Sequence, residues 1–110
     1  MKIEVRSVDF IDDFEEGVHK PATCHCIIEI GESDAKGFDL FFVNVSNRHW
    51  ALEHLGHDQT GFCDQFLIVD RLDDVQIKSA IQSKFGERDY SRFEDFIQAA
   101  RPFLRWEFER

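Results

Sequence analysis

The sequence predicts an α+β fold: a mainly antiparallel sheet of about five strands, with two or three helices covering one face. Three observations carry that expectation. Apolar residues alternate with polar ones through the first half of the chain, the period of an extended strand. From Asp73 onward the apolar spacing changes to that of helices. Strands precede most of the helices, an order that argues α+β with helices on one face of a mainly antiparallel sheet.

Ile3, Val5 and Val8 open a first strand whose phase shifts near Ser7. "FIDDFEEGVHKP" then reads as an acidic loop or short helical turn, ended by Gly17 and Pro21. In "ATCHCIIEIG", Cys24, Cys26, Ile28 and Ile30 share one face of a second strand, with Thr23, His25 and Glu29 on the other. "GESDAKG" has the residues of a hairpin connection. "FDLFFVNV" follows as a third strand, apolar on both faces and therefore central or covered.

Ser46 or Asn47 can cap a short helix through "RHWALEHL", which Gly56 stops. "HDQTG" is a loop, and "FCDQFLIVD" contains a fourth strand. Asp73 stands where a cap belongs before "DVQIKSAIQSKF", whose Val75, Ile77, Ala80, Ile81 and Phe85 trace an apolar face up to Gly86. A further helix lies within "DYSRFEDFIQAARPF", with Phe93, Phe96, Ile97 and Ala100 spaced for burial and Pro102 ending it. "FLRWEFE" returns as the last strand. One residue from each main element is expected in the core: Phe42, Trp50, Leu67, Ile81, Phe96 and Trp106.

A length of 110 residues suits one domain over residues 1–110. Hydrophobic residues make up 43% and include twelve phenylalanines, enough for a core without disulfide or metal staples. The net charge of −9 opposes direct nucleic-acid binding and anionic membranes, and suits capture of a basic partner. "MKIEVRSVDF" has no apolar signal region, and no run reaches membrane-spanning length. Three cysteines without a secretory signal imply free thiols and a cytoplasmic location.

"RHWALEHLGHD" looks most like chemistry. On a helix His49 and His54, five residues apart, point about 140° away from each other and cannot share a metal. His49 and Glu53 share a face, but two ligands make a weak site where zinc needs three or four. His57 lies beyond Gly56, outside the helix. In "TCHC" both thiols point one way and His25 the other, so these do not converge either. Cys63 is a lone loop thiol whose catalysis would need a neighbouring base. No catalytic residue, metal site or cofactor is expected from these patterns.

As a whole the chain resembles the immunity protein 8 family of bacterial polymorphic toxin systems. The resemblance covers nearly the full length. It rests on "DFIDDFEE", "FDLFFVNV", "HWALEHL", "GFCDQFLIVDRLDDVQIKSAI" and the terminal "LRWEFE", in that order. The family often has a Pro-Lys pair before the helical tryptophan; here the residues are Arg48 and His49, which alters the helix cap and leaves the core pattern intact. The resemblance implies a small cytoplasmic protein that binds and neutralises the C-terminal domain of a cognate toxin without catalysis. Trp50 and Trp106 match family positions, and their apolar spacing already accounts for them as packing residues.

Acidity adds an expectation about the partner. Many delivered toxins are nucleases with basic clefts, which an acidic inhibitor can enter as a phosphate mimic. The alternatives are a small metal- or thiol-dependent enzyme using the His49, His54 and His57 region or Cys63, and an acidic adaptor subunit of another complex. Of the acidic clusters, Asp70, Asp73 and Asp74 have a helix start to account for the last two. Glu107 and Glu109 alternate with Trp106 and Phe108 as a solvated strand face would. Asp12, Asp13, Glu15 and Glu16 have no such local explanation and are the expected partner-binding residues.

Overall fold

The computed structural model describes residues 1–14 and 20–109. β1 (Ile3–Phe10) pairs antiparallel with β2 (Thr23–Glu32), which pairs antiparallel with β3 (Asp39–Asn47). The phase shift in β1 is a bulge: Val5 opposes Ile30 and Ser7 opposes Glu29, leaving Arg6 unpaired. The extra residue restores parity, so Ile3, Val5, Val8 and Phe10 face one side despite their uneven spacing. Arg6 turns its guanidinium onto the β2–β3 connection and donates to the carbonyls of Glu32, Ala35 and Lys36. That connection packs so closely that a Cβ on Gly31 would collide with the Gly37 carbonyl oxygen.

After β3 the chain enters α1 (Arg48–Leu55). Asn47 caps it by accepting the Trp50 amide hydrogen, and Gly56 ends it in the left-handed region at φ 80°. The expected fourth strand is a hairpin instead, β4 (Gly61–Cys63) and β5 (Phe66–Val69). Asp64 and Gln65 form its two-residue turn with φ of 47° and 65°, the double left-handed conformation that matches strand twist. Cys63 therefore lies in a strand and not in a loop.

β5 runs parallel to β3, with α1 in the crossover, and every other strand pair is antiparallel. The sheet has six strands among the described residues, in the order β1-β2-β3-β5-β4. β6 (Arg105–Trp106) pairs with Phe41 and Phe42 of β3, so β5 and β6 share one edge of that central strand. It stops at Trp106, shorter than the sequence pattern implied, and Glu109 ion-pairs with Arg101 at 2.9 Å.

α2 (Asp74–Phe85) is capped by Asp73, which accepts the amide hydrogens of Val75 and Gln76. With α3 (Phe93–Ala100) it covers the face bearing Cys24, Cys26, Ile28 and Ile30. Leu67, Ile81 and Phe96 are buried there as expected. Val75 is not, being 72% exposed at the start of α2. Of the two apolar faces of β3, the one with Phe41, Val43 and Val45 meets the helices, because those residues stand opposite Ile28, Cys26 and Cys24. Phe42 lies on the other face and is half-buried, as are Trp50 and Trp106. Trp106 is held by a hydrogen bond from its indole to Asp39 at 2.9 Å. Two helices thus cover one face, and α1 sits at the end of the opposite one.

Candidate functional site

The face of the sheet away from α2 and α3 can be followed across the strands in rows. Nearest α1 stand Thr23, Ser46 and Ile68. Ala51 of α1 is fully buried, and Trp50 stacks on Phe66 at 5.3 Å. The next row holds His25, Asn44, Phe66 and Cys63, extended by Ile11, whose amide donates to the His25 carbonyl. Beyond it come Asp9, Ile27, Phe42 and Arg105, then Ser7, Glu29 and Leu40.

Among the described residues no helix covers these outer rows. Ile27, Leu40 and Phe42 are half-buried only by their neighbours, and Ile11 is 58% exposed. A depression of about 430 Å³ opens between Ile11, His25, Phe42, Asn44, Gln65 and Arg105. The Arg105 guanidinium lies over the Phe42 ring, 4.8 Å from its centroid, so aliphatic stem and cation wall one side.

Asp12, at the start of the acidic segment, reaches the edge of this face. The Asp12 carboxylate meets His25 Nδ1 at 2.8 Å, and both side chains stay about half exposed. Asp13 is exposed, and with Asp12 it lines a shallow hollow shared with Asp9, Asp74 and Lys78. Two clusters distant in sequence therefore meet in space at the start of α2. Lys78 offsets part of their charge by pairing with Asp74 at 3.0 Å. Glu15 and Glu16 lie outside the described residues. Asp70 is occupied elsewhere: Arg48 pairs with Asp58 at 3.1 Å and with Asp70 at 3.4 Å. Its hydrogen bond to Asp58 leads the effects that raise the guanidinium above its ordinary pKa.

The histidines of "RHWALEHLGHD" separate. His54 stacks on Trp50, with ring centroids 4.3 Å apart, and its Nδ1 lies 3.1 Å from the Trp50 carbonyl in the last turn of α1. His57 instead comes to Cys63, with Nε2 3.6 Å from Sγ, a contact that sequence spacing does not reveal. Its Nδ1 accepts the Gln59 amide hydrogen at 3.3 Å, which assigns the proton of the neutral ring to Nε2. That ring donates to sulfur, while the thiol faces the Asp64 carboxylate at 3.8 Å. Cys24 and Cys26 are buried in the core, where hydrogen bonding with Cys24 and burial push the Cys26 thiol up. Among the described residues no three His, Cys, Asp or Glu side chains are grouped to hold a metal ion, and no helix is long and apolar enough to cross a membrane.

Of the expected contact residues, Asp13 is exposed and Asp12 half-exposed, and the sequence patterns did not point to the sheet face beside them. His25 carried the one available signal, since its parity already set it opposite the two core thiols. In comparisons with known proteins, the family model described as Immunity protein 8 matches residues 2–110. No curated protein matches, and no solved structure matches.

Proposed function

The chain belongs to the immunity protein 8 family, and on that premise we propose that it binds and neutralises one cognate bacterial toxin domain by non-catalytic contact. The family match across residues 2–110 carries this reading. Charge supports a finer version. With 22 acidic against 13 basic residues, the protein attracts a basic surface over a distance set by the ionic strength. A nuclease with a phosphate-binding cleft is such a surface, and the acidic segment Asp12, Asp13, Glu15 and Glu16 is the contact we assign to it. Binding takes place in the cytoplasm of the producing cell, with the whole chain acting as one domain.

The test is co-expression with the C-terminal toxin domain encoded by the adjacent upstream gene. Growth arrest by that domain alone, relieved by this protein, together with a purified one-to-one complex, is the expected outcome. Unrelieved arrest with no complex at micromolar concentrations overturns the reading.

A further inference from the structure

We infer that the open face of the sheet, centred on Phe42, is the surface on which the toxin domain docks, and that it receives a protruding basic segment with an apolar side chain at its tip. The inference rests on the immunity reading and specifies where and how that contact is made. The face offers half-buried Ile27, Leu40 and Phe42 with exposed Ile11 at the border, around a depression of about 430 Å³. This is the arrangement of an interface centre: apolar anchors at the base and polar groups at the rim.

The rim selects the occupant. Outside the depression, whose own lining holds Arg105 and no carboxylate, Asp9, Asp12 and Glu29 bring three carboxylates to the same face, while the guanidinium of Arg105 is drawn over the Phe42 ring. A lysine or arginine beside the inserted side chain meets this rim favourably. A second copy of this chain does not. Two-fold packing of the same face would set these carboxylates against one another, on molecules that each carry a net charge of −9. The face also adjoins the acidic segment, because Asp12 itself bonds to His25 in the row next to Phe42. Steering by Asp12 and Asp13 and apolar anchoring on the sheet thus occur side by side.

Binding of the purified upstream-encoded toxin domain is measured for wild type, Ile11→Ser, Phe42→Ala and Val75→Ser, with melting temperatures recorded for all four. Val75→Ser removes an apolar side chain even more exposed than Ile11, 72% against 58%, from α2, the helix that covers the opposite face. Ile11→Ser and Phe42→Ala are each expected to weaken binding by roughly tenfold or more, mainly through faster dissociation, and Val75→Ser by less than about twofold. Because Ile11 is largely exposed, its loss of affinity should come without loss of melting temperature. Wild-type affinity in both face variants overturns this assignment while leaving the immunity reading standing. Failure of the wild type to bind sinks the immunity reading itself. A wild-type dimer in sedimentation that Ile11→Ser splits would give the face to a second copy and overturn the proposal.

Discussion

The side-chain amide of Asn47, almost wholly buried, accepts hydrogens from the amides of Trp50 and Ala22 and donates to the Lys20 carbonyl. One group thereby caps α1 and ties its start to the entry of β2. Asn47→Ala should cost about 2–4 kcal/mol, a lost cap plus unpaired buried groups, read as a lower urea midpoint at unchanged slope. Asn47→Asp should recover only part of this, because its carboxylate keeps the cap but faces the Lys20 carbonyl. The thiols give a second prediction at this scale. In the native protein an aromatic disulfide reagent should modify Cys63 alone, and Cys24 and Cys26 should react only after unfolding, since both are buried and Cys63 is not. Equal reactivity of all three in the native state would contradict that. Choosing between Phe41 and Phe42 shows where a single residue's fate is illegible. Both faces of β3 are apolar, so its own periodicity cannot pick the core side; the register with Cys26 and Ile28 does.

Among the elements, the β4–β5 hairpin was the one hidden in sequence. Its turn uses Asp64 and Gln65 at positive φ, where the readable signal would have been Asn-Gly or Asp-Gly. A side chain at Gln65 pays a conformational cost that glycine avoids. Gln65→Gly should therefore raise stability by about 0.5–1 kcal/mol, offset slightly by the loss of the long 3.4 Å bond from Gln65 to the Arg101 carbonyl. Calorimetry should show a melting temperature higher by a few degrees. The helices were legible because their signals are local. Asp73, Asn47 and Gly56 stand at the predicted ends, and Ile77, Ile81 and Phe85 recur at helical spacing. β6 was legible in place but not in length, since its pairing stops with β3's own edge partners at Phe41 and Phe42.

For the molecule as a whole, the α+β class and the antiparallel sheet followed from element order, while the identity of the uncovered face did not. That depends on which way α2 and α3 fold back, a long-range outcome that no window of sequence records. The charge asymmetry acts at this scale. Replacing Asp12, Asp13, Glu15 and Glu16 by Asn or Gln should slow association with the toxin domain and flatten its salt dependence. The melting temperature should hardly move, because the Asp12 and His25 side chains are 41% and 53% exposed and exposed pairs contribute about 0–1 kcal/mol. Stopped-flow rates over a range of salt check both claims; unchanged rates would remove the segment from the encounter. Replacing His49 and His54 together by Ala should leave folding and protection intact, as His54 lies against Trp50 and shares no grouped metal site among the described residues. Loss of stability together with a bound metal would overturn this.

The middle of the sheet is completed by residues made long after its central strand. Phe41 waits for Trp106, about 65 positions later, and at roughly 5–20 residues per second the ribosome takes about 3–13 s to supply it. The outer edge of Ile3 likewise waits for Glu87 and Arg88. Nascent chains arrested before Arg105 should accordingly be protease-sensitive, and chains carrying a linker beyond Glu109 resistant. If the proposed toxin neutralisation holds, partly translated copies cannot supply it, and protection would reside in a standing stock of molecules translated past Trp106.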